Sequence, residues 1–356
     1  MRAAVLGHPI AHSLSPVLHR AAYQACGLAD WRYDAFDVAE AGLAGCLAGL
    51  EPGEWAGLSL TRPLKQVALD LVDHVEPLAA AVGAVNTVLF CPGGSVGANT
   101  DVFGMVQAIK TRDAGPHPAG QLAQEPGTDH AGSRQATPVA PRSALGFTTA
   151  TILGGGATAA SALAAVGQLG VTEPSVWVRS LARSAELIKA AARMGVVPGF
   201  HLWPSGPAPA TGAAAPAAMS TGQATVPPGH PVATGPPGHP ADRGAISQDP
   251  VIQPGTQGRE PWHAADLVIC TLPAGAADPL AVDLTGRDLT GKVLLDVAYH
   301  PWPTPLAQAW ANAGGQVVSG LDMLLYQAAE QFRLMTGQPA PIQAMRAALR
   351  EHANVS

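Results

Sequence analysis

Four polar clusters interrupt a sequence otherwise rich in Ala, Leu and Gly: His12-Ser13-Leu14-Ser15-Pro16, Ser59-Leu60-Thr61-Arg62-Pro63-Leu64-Lys65, Gly83-Ala84-Val85-Asn86-Thr87 and Gly97-Ala98-Asn99-Thr100-Asp101-Val102-Phe103-Gly104. Their hydroxyls and amides, with one ammonium and one carboxylate, suit a small polyhydroxylated, anionic substrate. Ser13, Ser15 and Thr61 can bond a carboxylate or hydroxyls. Lys65 and Asp101 are the charged pair able to move a proton. An ammonium can donate a proton to an oxygen that develops negative charge, while a neighbouring carboxylate orients it. His12 reads as a histidine that bonds its own loop, not as a proton shuttle. Each polar residue also has a duller reading: Ser15 and Asp101 as helix N-caps, and Asn86-Thr87 as turn chemistry.

A second kind of chemistry sits mid-chain. Thr149–Leu153 reads as a buried strand, followed by Gly154-Gly155-Gly156-Ala157-Thr158-Ala159 and an Ala/Leu-rich helix. That is G-x-G-x-x-A, a turn that aims backbone N–H groups and a helix dipole at a pyrophosphate. The chain has 40 glycines, so only the strand-turn-helix context gives the motif weight; an unrelated doubly wound domain remains the alternative. The next strand, Ser175-Val176-Trp177-Val178, runs into Arg179-Ser180, with Arg183 one turn on. An NAD site carries Asp or Glu in this region, whereas arginine suits a 2′-phosphate. NADP(H) is therefore expected, against the alternative of two solvated arginines. A cofactor turn this far along the chain leaves the first domain to hold the substrate.

The elements that position these groups alternate between strand and helix, which predicts an α/β fold. Strands are expected at Ala3–Leu6, Trp31–Val38, Trp55–Leu60, Ala265–Thr271 and Lys292–Val297, with a hairpin from Ala84–Phe90 to Ser95–Ala98. Helices are expected at Pro16–Cys26 with Ser15 as N-cap, and at Leu64–Val72, Thr304–Asn312, Gly320–Thr336 and Pro341–His352. The polar clusters all read as strand-to-helix junctions, where open α/β sheets bind ligands. Trp177 reads as core. Residues 113–145 and 204–261 lack an apolar period; Pro-Pro-Gly-His-Pro recurs at 227–231 and 236–240. Both are read as flexible low-complexity insertions, the first between domains and the second inside the cofactor domain. His230 and His239 read as part of a solvated loop, and no metal site is expected.

Composition narrows the class. Charged residues are 13% of the 356-residue chain and the formal net charge is −6, so no nucleic-acid partner is expected. Lysine occurs only at positions 65, 110, 189 and 292. Cys26, Cys46, Cys91 and Cys270 are far apart and read as free thiols in a reducing compartment. No apolar run is long enough for a membrane span, and the N-terminal segment does not read as a signal peptide. A cytoplasmic location is the expectation, as a monomer or homodimer.

At this point the sequence resembles the shikimate dehydrogenase family. The family pattern G-x-P-I-x-H-S-x-S-P stands at Gly7 to Pro16, and N-V-T-x-P-x-K at Ser59 to Lys65. G-A-x-N-T is intact at Gly83 to Thr87, and N-T-D-x-x-G at Asn99 to Gly104. Asp296-Val297-Ala298-Tyr299 resembles D-x-x-Y, Thr304-Pro305-Leu306 resembles T-P-L, and Gly320 to Ala328 resembles G-x-x-M-L-x-x-Q-A. The resemblance covers almost the whole chain outside the two insertions. It implies a substrate domain made of residues 1–112 plus 320–356 and a Rossmann-type NADP-binding domain at 146–319, the final helices returning to the first domain. It implies Lys65 and Asp101 as the catalytic pair, with Ser13, Ser15, Thr61, Asn86, Gln327 and Tyr299 as substrate contacts. For the cofactor it implies Gly154, Gly155, Gly156, Ala157, Thr158, Arg179, Ser180 and Arg183, with Val297, Gly320 and Met323 near the nicotinamide. The reaction implied is reversible NADPH-dependent reduction of 3-dehydroshikimate to shikimate in chorismate and aromatic amino acid biosynthesis.

Three of the elements depart from that pattern. Ser59 replaces Asn, Val178 replaces the Asn before the arginine, and Cys270-Thr271-Leu272-Pro273 replaces N-A-T-P. These changes bear on nucleotide affinity more than on the reaction type. A quinate/shikimate dehydrogenase using NAD, a catalytically inactive ligand-binding relative and a partner-docking role for the Pro-rich insertions are the rival readings.

Overall fold

The computed structural model describes residues 1–51, 53–112, 146–203 and 261–355; the insertions read at 113–145 and, but for Pro261, at 204–261 lie outside them. The first sheet contains β1 (Arg2–Gly7), β2 (Arg32–Asp37), β3 (Trp55–Leu60), β4 (His74–Val75), β5 (Thr87–Cys91) and β6 (Gly94–Ala98), in the order β2-β1-β3-β5-β6-β4. It is mixed: β1 runs parallel to β2 and β3, while β5 is antiparallel to both β3 and β6. The helices between these strands are α1 (Ser15–Ala25), α2 (Leu43–Ala48), α3 (Leu64–Val67) and α4 (Pro77–Val82); α5 (Asp101–Lys110) follows β6.

The second sheet is wholly parallel, in the order β12-β11-β10-β7-β8-β9. Its elements are β7 (Ala150–Leu153), α6 (Ala157–Gln168), β8 (Ser175–Val178), α7 (Ala185–Met194), β9 (Gly199–Leu202), β10 (Leu267–Cys270), β11 (Val293–Asp296), α8 (Pro305–Asn312) and β12 (Gln316–Ser319). This is the doubly wound order, with its topological switch between β7 and β10. Every residue of β7, β10 and β11 is buried, as expected of central parallel strands covered on both faces. Trp177 is core, stacked on His201 with centroids 5.0 Å apart.

The last two helices, α9 (Gly320–Thr336) and α10 (Ile342–Val355), pack on elements of the first half of the chain. α9 lies against α5, β3 and β5, and α10 against α1. One apolar cluster joins Val102, Met105 and Ile109 of α5 to Ile152, Leu163 and Leu267 around the second sheet.

Several expectations need correction. Ser15 is the first residue of α1, not its cap; Leu14 precedes the helix and no side chain caps it. Pro16 carries no N–H, so fewer donors there need a cap. The helix expected at Leu64–Val72 ends at Val67 and tightens into a 3-10 turn at Ala68–Asp70, because the chain must turn into β4 at His74. The cluster Gly83–Thr87 lies at a helix-to-strand junction, between α4 and β5, not a strand-to-helix one. Periodicity gave no sign of α2 and α4, which are only 6 residues each, nor of the short strands β4, β9 and β12.

Candidate active site

The loop after β3 is fixed by its backbone. Thr61 N–H donates to the Leu6 carbonyl at 2.9 Å, Leu64 N–H closes the turn onto the Thr61 carbonyl at 2.9 Å, and Val85 N–H donates to the Lys65 carbonyl at 2.7 Å. Lys65 thus enters α3 facing the start of α5. Its Nζ donates to Asp101 Oδ2 at 2.5 Å; the side chains are 15% and 2% exposed, respectively. Thr100 precedes α5 without capping it, and the Asp101 carboxylate is committed to Lys65 and to Asn86 Nδ2, which donates to Oδ1 at 2.8 Å. The capping alternative for Asp101 is therefore not what the structure shows.

Gly104, one turn further along α5, explains how α9 reaches this pair. A Cβ there would lie 2.7 Å from the Met323 carbonyl oxygen and 2.8 Å from Gln327 Cβ. Only glycine admits the close approach that brings Gln327 Oε1 within 3.0 Å of Asn86 Nδ2. Gln327 is accordingly half-buried and bonded rather than solvated. Asn86 and Thr87 belong to a buried network instead of an isolated turn: Asn86 Oδ1 accepts from Thr100 N–H at 2.8 Å and from the Thr87 hydroxyl at 2.9 Å.

Ser15 is buried and its backbone N–H donates to Ser13 Oγ at 3.4 Å. Burial pushes the nearby Tyr33 phenol up, opposed by its contacts with the Ser59 and Ser15 hydroxyls. Tyr299 is half-buried, and burial raises its phenol too. The ring of exposed His12 stacks on that of His300 at 6.3 Å, so His12 meets the loop after β11; the loop-bonding role expected for it is replaced by a ring contact. The two late motifs are partners in structure. The Thr304 hydroxyl donates to Asp296 Oδ2 at 2.6 Å and accepts from Ala307 N–H at 3.0 Å, capping α8. Burial raises the Asp296 carboxyl above its ordinary value.

A cleft of about 530 Å³ has Thr61, Arg62 and Lys65 on one wall and the glycine turn on the other. Gly154 has φ +124°, a value L side chains rarely adopt, and a Cβ there would collide with the Thr271 hydroxyl. No side chain caps α6 after Gly156, so its first N–H groups stay open to an anion. Gly154, Gly155, Gly156, Ala157, Thr158, Arg179, Ser180 and Arg183 all line the cleft. Arg179 and Arg183 are exposed, and among the described residues neither has an ion pair. The cradle and its guanidinium groups fit a dinucleotide carrying an extra phosphate.

Val297 and Gly320 touch, since a Cβ on Gly320 would collide with the Val297 carbonyl, and Met323 is buried one turn along α9. The cleft lining does not include these three, nor Tyr299, Ser13, Ser15, Asn86, Asp101 or Gln327. Of the expected substrate and catalytic residues, Thr61 and Lys65 reach it. Sequence reasoning assigned no role to Arg62, Glu40, Thr271, Leu272 or Pro273, which also line the cleft. Arg62, Thr271, Leu272 and Pro273 stood inside quoted motifs, while Glu40 had no signal. Among the described residues there is no cluster able to hold a metal, and no helix is long and apolar enough to cross a membrane.

A doubly wound lobe facing a mixed α/β lobe across a charged cleft is the architecture of a two-lobed nucleotide-dependent dehydrogenase. Comparison with known proteins agrees. The family profile described as the shikimate dehydrogenase substrate binding domain matches residues 5–88, and that of the shikimate 5′-dehydrogenase C-terminal domain matches 320–350. The chain is 31% identical to the shikimate dehydrogenase (NADP(+)) of Moorella thermoacetica, over 98% of this chain and 92% of that one. It is 32% identical to that of Citrifermentans bemidjiense, over 98% and 93%. Among solved structures, shikimate dehydrogenase of Mycobacterium tuberculosis superposes with a TM-score of 0.67 at 32% identity, covering 98% of this chain and 99% of that one. The Thermus thermophilus enzyme in complex with NADP(H) and shikimate gives 0.64 at 26% identity, covering 99% of each. The chain belongs to the shikimate dehydrogenase family.

Proposed function

We propose that this chain reversibly reduces 3-dehydroshikimate to shikimate with NADPH, within chorismate and aromatic amino acid biosynthesis. The observation that carries the reading is the Lys65–Asp101 ion pair at 2.5 Å, with Lys65 on the cleft wall opposite the glycine turn. Gly154 to Thr158 would hold the diphosphate, and Arg179, Ser180 and Arg183 the 2′-phosphate. Val297, Gly320 and Met323 would border the nicotinamide, which when bound supplies the hydride. Ser13, Ser15, Thr61, Asn86, Tyr299 and Gln327 would orient the substrate's carboxylate and hydroxyls.

Lys65 Nζ polarises the ketone oxygen and gives it a proton as negative charge develops there. Asp101 holds the ammonium in place and can receive a proton relayed from it in the oxidative direction. Residues 1–112 with 320–356 form the substrate part, and 146–319 the cofactor part. A cytoplasmic location and a monomeric or homodimeric state complete the reading; the four cysteines are free thiols, as a reducing compartment requires.

The test is a set of initial rates for shikimate and quinate, each with NADP and NAD. Shikimate with NADP is expected to dominate. Faster oxidation of quinate with NAD overturns the assignment in favour of the quinate/shikimate alternative.

A further inference from the structure

Behind the catalytic pair lies a run of buried polar groups that no role assigned above explains. The Tyr33 hydroxyl donates to Ser59 Oγ at 2.6 Å, and Ser59 Oγ donates to Gln331 Oε1 at 2.8 Å. Gln331 Nε2 donates to the Asn86 carbonyl at 3.2 Å and to Thr87 Oγ1 at 3.0 Å. The Thr87 hydroxyl passes its proton to Asn86 Oδ1 at 2.9 Å, and Asn86 Nδ2 donates to Asp101 Oδ1 at 2.8 Å. Gln331 lies on α9 one turn past Gln327 and is 1% exposed.

The direction of this run of bonds is forced by groups with only one role. A backbone carbonyl and a carboxylate can only accept, and the Thr100 backbone N–H that faces Asn86 Oδ1 can only donate. Because Gln331 must turn its NH2 to the Asn86 carbonyl, its Oε1 must face Ser59. Thr87 Oγ1 accepts from Gln331, and its own proton has Asn86 Oδ1 at 2.9 Å as its nearer acceptor, with Thr100 Oγ1 at 3.3 Å. Reversing the Asn86 amide would set a carbonyl oxygen against the Asp101 carboxylate, inside a site too dry to screen it.

We propose that Gln331 is a positioning residue, which with Ser59 and Thr87 locks the Asn86 amide so that its nitrogen faces Asp101 and keeps that carboxylate aimed at Lys65. This rests on the reading of Lys65 and Asp101 as the reacting pair. It also gives Ser59, where the family pattern has Asn, a defined job: it donates to the amide that sits behind Asn86.

Two readouts test it. In the free protein, the side-chain NH2 protons of Asn86 are followed by NMR hydrogen exchange in wild type, Gln331→Met and Ser59→Ala. Exchange about tenfold faster in both variants is expected, with backbone spectra preserved. In kinetics, a double-mutant cycle pairs Gln331→Met with Asn86→Ala for shikimate oxidation. Gln331→Met alone is expected to lower kcat about tenfold, yet to change the Asn86→Ala enzyme less than twofold. Unchanged amide exchange, or effects that simply multiply, overturns the proposal. If Gln331→Met does not fold, Ser59→Ala decides by the same two measurements. A wild-type protein that fails to oxidise shikimate overturns the functional reading instead, and amide exchange still decides this one.

Discussion

The two sheets solve different problems. The first is mixed and surrounds buried polar side chains joined in one hydrogen-bond network: Ser59 to Gln331, Gln331 to Thr87, Thr87 to Asn86, and Asn86 to both Thr100 and Asp101. The second is parallel, its central strands β7, β10 and β11 carry apolar runs that are entirely buried, and its chemistry lies at the rim in exposed arginines and open backbone N–H groups. Buried polar groups gain strength from a low dielectric but must all be paired, which favours precise placement of a proton donor. Exposed guanidinium groups at a cleft mouth stay solvated and can capture a polyanion without paying for burial first. On the proposed function, placement of the reacting atoms belongs to one side and capture of the cofactor's charge to the other.

Replacing Lys65 by Ala breaks the first side outright. kcat for shikimate oxidation should fall by about 10²- to 10⁴-fold, with a much smaller change in KM, in steady-state assays. A fully active variant would remove the assigned mechanism. Removing Arg179 and Arg183 together probes the other side: KM for NADPH should rise about a hundredfold while NADH is used no worse than before. An equal loss with both nucleotides would show that the arginines do not read the 2′-phosphate.

His19 sharpens the contrast, because it is buried in the first lobe, stacked on Tyr33 at 4.0 Å, and burial lowers its pKa to about 3. The unfolded chain binds that proton near pH 6.5, the folded one only near pH 3. Stability contributed by the neutral ring is therefore full at pH 7 and lost as pH falls through this window, by about 2 kcal/mol at pH 5. Denaturation midpoints at pH 7 and pH 5 should diverge less in His19→Phe than in wild type. The smallest effect is expected for Ser13→Ala, a rise in KM for shikimate of about fivefold, as one neutral hydrogen bond is worth.

Much of the fold was legible in the chain. The apolar runs at Ala3–Leu6, Ala265–Thr271 and Lys292–Val297 announced buried strands, and the Gly154 turn announced the switch-point crevice beside β7. The mixed sheet was harder, since the antiparallel β5 depends on pairings made across the chain. Helices as short as α2 and α4 have too few residues to show a period. At the site, Lys65 and Asp101 were legible because charge is rare in their surroundings. Gln331 was not: a glutamine on an amphipathic helix looks the same in sequence whether it faces water or Asn86. Ser15 was misread as a cap because a serine just before a proline is the usual signature of a helix start, whether or not its hydroxyl bonds the helix end.

Asp101 opens α5, the helix whose apolar side lies in the one cluster that also takes in the core of the second sheet. A closing rotation would use that greasy seam as its pivot, since parting it would expose Met105 and Ile109 to water. Thr61 and Gly154 line opposite walls of the cleft, so a rotation about that seam would change the gap between them. Spin-label distances across the mouth, with and without nucleotide, would measure that swing.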